Sequence, residues 1–127
     1  MRWMIMLAVL AVSGAAYAQD AAAGAFPQFC EEWMQKLAAR EQRNVANIKW
    51  AEAADGVSGE YIGYGQEHTC VTKTGTQSVP VGKITYREVR YEKHGGSVSD
   101  AEKNPPQAVE TTEITEIFRY SAGKWIY

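Results

Sequence analysis

The spacing of apolar residues changes once along this chain, and that change constrains the fold more than any other feature. Phe26, Phe29, Cys30, Trp33 and Leu37 recur at helical spacing, with Glu31, Glu32, Gln35 and Lys36 mostly opposite. Pro27 suits a first helical turn, where its missing N–H is no loss. Glu31 and Glu32 lie early, and Lys36, Arg40 and Arg43 lie late, as the helix dipole favours. The pattern predicts one helix over residues 27–43, with Asn44 as its exit. Arg40, Glu41 and Asn44 turn the stripe polar beyond Leu37, so the second half is expected to overhang the sheet or to contribute polar groups to a cleft.

Past this helix the chain reads as strand and turn. Ile48 and Trp50 alternate with Asn47 and Lys49 in a first strand, and Asp55-Gly56 is a turn signal. Residues 60–65 form a second strand, which 67–73 continues or pairs with across Gly65-Gln66. Residues 73–78 are a loop, and 80–92 are the longest strand, ending at Lys93-His94-Gly95-Gly96. Ser99-Asp100-Ala101-Glu102 has the form of a capping box, which predicts a short helical turn before Asn104-Pro105-Pro106. Residues 111–120 are β-rich, Ser121-Ala122-Gly123 turns the chain, and 124–127 close it. Gly59, Gly63 and Gly65 alternate within a strand, which suits sheet curvature or close approach of a helix. The expected fold is α+β: one N-terminal helix packed across a curved antiparallel sheet of five or six strands.

The first residues carry an address. Arg2 precedes an apolar stretch over residues 3–12, and no acidic residue appears until Asp20. Ser13-Gly14-Ala15-Ala16-Tyr17-Ala18 then supplies small residues at Ala16 and Ala18, the cleavage pattern of a secretory signal peptide. The apolar stretch is shorter than the roughly 20 residues of a spanning helix, and no cysteine follows it to accept a lipid. Residues 1–18 are therefore expected to be removed, leaving 19–127 as a single domain in the periplasm or outside the cell, with no stable membrane anchor. Residues 19–25, rich in Ala and Gly, are expected to be a frayed leader. One core is the most a chain of this length supports.

Composition narrows the function. The net charge is −2, and loss of Arg2 leaves 12 basic against 15 acidic side chains. With no basic block, nucleic-acid binding through phosphate neutralisation is excluded. Two cysteines, Cys30 and Cys70, in a small exported chain predict one disulfide. Cys30 lies on the helix stripe and Cys70 in a central strand, so the bridge would staple helix to sheet. A loop of this length stabilises by about 4 kcal/mol in the chain-entropy model.

The ending Ile117-Phe118-Arg119-Tyr120-Ser121-Ala122-Gly123-Lys124-Trp125-Ile126-Tyr127 resembles the terminal hairpin of many NTF2-like domains, and the order of elements is similar to cystatin-like and NTF2-like rolls. The resemblance implies a fold and not a function. By analogy with the roll, a hydratase- or isomerase-type cleft would pair His68 with Glu88 or Asp55; the bland reading is an edge-facing Glu88–Arg90 pair along the strand or a cross-strand charge pair. His68 and Cys70, two apart on a strand, offer nitrogen and sulfur to a metal, with His94 and Met34 as extras, or a thiol and base to a nucleophilic mechanism. Both uses need a reduced Cys70. No C-x-x-C, H-E-x-x-H or Gly-x-Ser-x-Gly motif is present, and no metal or cofactor is expected. Tyr61 and Tyr64 occupy opposite alternation phases, as do Tyr86 and Tyr91. One phase is expected to face solvent and offer rigid amphipathic area to a protein, peptide or glycan. The last strand also offers an open sheet edge. The sequence points to a small exported binding or assembly domain without catalysis, with an NTF2-like enzyme using His68 and Glu88 as the alternative.

Overall fold

In a computed structural model, residues 14–74 and 79–126 are described. A long helix, α1 (Gly14–Ala46), packs against a curled antiparallel sheet. The strands are β1 (Ala51–Ala53), β2 (Gly56–Thr74), β3 (Pro80–Gly95), β4 (Gln107–Ser121) and β5 (Lys124–Ile126), with a short α2 (Val98–Lys103) between β3 and β4. Strand order follows chain order, β1-β2-β3-β4-β5, so the sheet is a pure meander. This is the expected α+β roll, with five strands.

α1 begins 13 residues before the expected start and ends three residues later. The Ala-rich stretch has high intrinsic helix propensity, and tertiary packing uses it. Ala22 is fully buried, and the Trp125 indole donates a 3.0 Å hydrogen bond to its carbonyl. Residues 19–25 are thus helix rather than a frayed leader, and Pro27 sits inside the helix instead of at its start. The missing Pro27 N–H leaves the Ala23 carbonyl without its helical donor. The charged and apolar parts of the leader, residues 1–12, lie outside the described residues.

Residues 48–50 form the link from α1 rather than a strand; β1 starts at Ala51 and pairs with β2 across the Ala54-Asp55 turn. Gly56 takes φ +133, which only glycine adopts readily. The cap of α2 is Ser97, two residues before the expected one: its hydroxyl accepts the Asp100 N–H at 3.1 Å.

The main core lies between α1 and the lower sheet. Phe26, Cys30 and Leu37 from α1 meet Ile84, Tyr86, Phe118 and Trp125. Each large apolar side chain buried there contributes about 1.5–3 kcal/mol. Phe26 packs at 4.5 Å from Trp125, and Phe118 takes Phe29 and Trp33 edge-on at 4.8 and 5.0 Å. Gly82 makes room for the Phe26 ring, which a Cβ at that position would strike. The Cys30–Cys70 disulfide joins α1 to β2 across this core, with Cα atoms 6.4 Å apart.

The buried alternation phase switches midway along the sheet. On β3 the buried residues are Gly82, Ile84 and Tyr86, then Val89 and Lys93. On β2 the switch coincides with a bulge: three residues separate Tyr64 from His68, while one separates their β3 partners Glu88 and Tyr86. Below the bulge α1 covers one face, called here the helix face. Above it the cover moves to the far face, where Ile48 and Trp50 pack beside Gly59 and α2 packs beside Gly95. Between the two halves α1 runs along the β2 edge. There Asn44 donates to the Ile62 carbonyl at 2.8 Å, and Glu41 accepts the Tyr64 N–H at 2.6 Å. Two helix side chains thus satisfy edge groups that another strand would otherwise pair.

Candidate functional site

The four tyrosines do not form an exposed patch. Because the buried phase switches, both alternation phases are covered where the tyrosines occur. Tyr64 and Tyr86 meet on the helix face with ring centroids 6.1 Å apart, and Tyr61 stacks on Tyr91 at 5.0 Å on the other face. Tyr86 is buried and the other three are half-buried. The Tyr86 hydroxyl donates to Glu116 at 3.3 Å, and its pKa is pushed up to about 12, chiefly by burial and then by the Glu116 charge. Burial, and then Glu41 and Tyr91, also raise the Tyr61 pKa. All four rings are engaged in packing, and the raised values keep the Tyr61 and Tyr86 hydroxyls protonated.

His68 and Glu88 are not brought into a common site. His68 is exposed, and its Nδ1 donates to the Gln66 carbonyl at 3.0 Å. The open depression beside it, about 280 Å³, is lined by Glu67, Thr69, Thr85, Arg87 and Glu113 among others and does not include Glu88. The β2 bulge separates the pairs His68–Tyr86 and Tyr64–Glu88, so the two side chains stand on either side of a break in the ladder. Asp55 sits in the β1–β2 turn, beside shallow depressions at the far end of β2. Cys70 is in the disulfide, so its sulfur is neither a thiolate nucleophile nor a metal donor. Among the described residues, no three His, Cys, Asp or Glu side chains cluster as metal ligands.

Arg90 pairs with a different set of carboxylates from the one its sequence neighbours suggest. It contacts Glu60 at 2.8 Å, Glu110 at 3.3 Å and Glu92 at 3.4 Å, and Glu92 also meets His94 at 3.3 Å. Hydrogen bonding to Glu110 leads the causes that raise the Arg90 pKa. This cluster spans β2, β3 and β4 on the open helix-face phase above the bulge. It is solvated, so it contributes little to stability.

The uncovered parts of the sheet are the remaining candidate site. β5 pairs with β4 only over Arg119, Tyr120 and Ser121. From residue 107 to 118 the outer edge of β4 has no partner strand among the described residues, and residues 107–113 are exposed on both faces. The ladder shows which backbone groups are open. Ile62 and Tyr64 turn theirs towards α1, so their β3 partners Arg90 and Glu88 turn theirs towards β4. Glu110 and Thr112 answer them, which by alternation leaves Thr111, Glu113, Thr115 and Ile117 with N–H and C=O groups pointing outward. The expected open edge therefore exists, but most of it belongs to β4 and not to the three-residue last strand. The stretch 107–118 holds no Pro or Lys, the residues that usually blunt an edge. Its β-rich composition is plain in the sequence, but its edge position emerges only with the strand order. No protein-family model, curated protein or solved structure matches the chain.

Proposed function

We propose that this protein is an exported, non-catalytic binding domain that captures an extended segment of a partner polypeptide along the open edge of β4. The observation that carries this reading is the row of outward backbone groups at Thr111, Glu113, Thr115 and Ile117, held by a sheet that the disulfide fixes to its helix. An added strand gains main-chain hydrogen bonds there, and its side chains set specificity. Glu110, Glu113 and Glu116 punctuate the edge, so cross-strand pairing favours a segment bearing Lys or Arg over a second copy of this acidic strand.

The address belongs to the same proposal: cleavage after Ala18 and residence in the periplasm or outside the cell. The disulfide supports an oxidising compartment, and no described helix is long and apolar enough to cross a membrane. Cleavage at that point keeps Ala22 and its bond to Trp125. In this reading the tyrosines serve packing, and His68 and Glu88 have no joint role.

A photo-crosslinking residue placed at Thr111 in exporting cells tests the reading. A discrete adduct is expected, lost in Glu113→Pro, which removes one outward N–H, and kept in His68→Ala. Absence of an adduct, or an adduct indifferent to the proline, overturns it.

A further inference from the structure

A second uncovered surface lies below the bulge, on the far face. Cross-strand register arranges it in rows: Val71, Lys83 and Ile117 in one, Lys73, Arg119 and Ile126 in the next. Lys124, opposite Ser121, follows on the same face. Val71, Ile117 and Ile126 are 54%, 59% and 41% exposed, and Val79 precedes β3 at the same end. Three of the six large exposed aliphatic residues among those described therefore share this face, and a fourth adjoins its end of the sheet, a concentration that single scattered residues do not give.

The charges are as segregated as the apolar groups. Among the described residues these rows hold four cationic side chains and no acidic one; Glu113, opposite Arg87, lies beyond the intervening row of Thr69, Thr85 and Thr115. Contact with Lys73 and its charge hold the Lys83 ammonium below the usual lysine range, as expected for two cations side by side without an anion. The chain as a whole is acidic, and the Glu60, Glu92 and Glu110 cluster sits on the other face at the other end. The resulting field turns the cationic face towards a negative surface.

We infer that this face docks reversibly on a membrane containing anionic phospholipid. The chemistry favours lipid over an acidic protein. Protein interface centres are rich in Tyr, Trp and Arg and poor in Lys, whereas this face presents Val and Ile among mostly Lys. At a bilayer the aliphatic side chains enter the headgroup boundary, and Lys and Arg stems reach back to the phosphates. This face shares only Ile117 with the β4 edge, through its side chain rather than its backbone groups, and the inference does not rest on strand capture.

Vesicle flotation of the protein purified from exporting cells tests it, at about 0.1 M salt, where screening is moderate. Retention is expected on phosphatidylcholine vesicles carrying about one-third phosphatidylglycerol and not on phosphatidylcholine alone, with release at high salt. The triple variant Lys73→Gln, Lys83→Gln, Arg119→Gln is expected to lower partitioning about 100-fold, at about fivefold per cation. Val71→Ser with Ile117→Ser weakens it independently of charge, while Glu60→Gln leaves it unchanged. Circular dichroism and an intact disulfide confirm that each variant is folded. Four results overturn the inference: no partitioning, equal partitioning to both vesicles as an uncleaved apolar leader would give, indifference to the triple variant, or equal retention on immobilised polyglutamate. None of them bears on the β4 crosslink.

Discussion

Removing the disulfide through Cys30→Ala with Cys70→Ala measures how far this small fold depends on its staple. The bond closes a loop with a sequence separation of 40 and ties α1 to β2 across the main core. Constraint of the unfolded chain by such a loop is worth about 4 kcal/mol, a large part of the roughly 5–15 kcal/mol that typically holds a domain together. Cys30 is also buried, so alanine there loses some packing beyond the crosslink. Urea unfolding followed by tryptophan fluorescence is run on the oxidised protein, the reduced protein and the double variant. With a slope of about 2 kcal/mol/M, the midpoint is expected to fall by about 2 M on reduction. The double variant should match the reduced protein or fall slightly below it. If oxidised and reduced protein unfold within a few tenths of a molar of each other, the staple contributes little and the reasoning fails.

Three further predictions follow from individual contacts. Gly82→Ala pushes a methyl into the Phe26 ring and is expected to cost about 1–3 kcal/mol by urea unfolding, an overpacking effect that Phe26→Leu partly relieves. Glu41→Ala leaves the Tyr64 N–H without its carboxylate acceptor and is expected to cost about 1–3 kcal/mol, whereas Glu32→Ala on the exposed helix surface costs less than about 0.5 kcal/mol. Because the folded Tyr86 pKa is raised from 10 to about 12, its contribution to stability is fully present below pH 10 and is lost as pH rises from 10 through 12. Alkaline titration followed at the phenolate absorbance should show a late-titrating tyrosine that disappears in Tyr86→Phe.

The sequence carries the local features plainly and the long-range ones poorly. Phe29, Trp33 and Leu37 mark one helical stripe, and residues 80–92 and 111–120 alternate as strands, so the α+β class was legible, while the strand order was not. Cys30 on the stripe and Cys70 on a strand made the staple legible too. The length of α1 was not, because the use of Ala22 depends on Trp125, a hundred residues away. The switch of buried phase was equally hidden. It depends on the β2 bulge and on α1 following the β2 edge, and strict alternation then misassigned one tyrosine phase to solvent. Arg90 finds carboxylates on three strands only when register brings Glu60 and Glu110 beside it. The candidate binding edge was foreseen as an open last strand, but its residues were assigned only once β5 proved to be three residues long.

Strand capture requires that the β4 edge be open in the isolated protein. Amide hydrogen exchange resolved by residue measures this. Alternation along β4 is expected: fast exchange at Thr111, Glu113, Thr115 and Ile117, whose N–H groups point outward, and slow exchange at Thr112, Ile114 and Glu116, whose N–H groups point to β3. Equal, strong protection of both sets would mean that the edge is already occupied, and would contradict strand capture as the function.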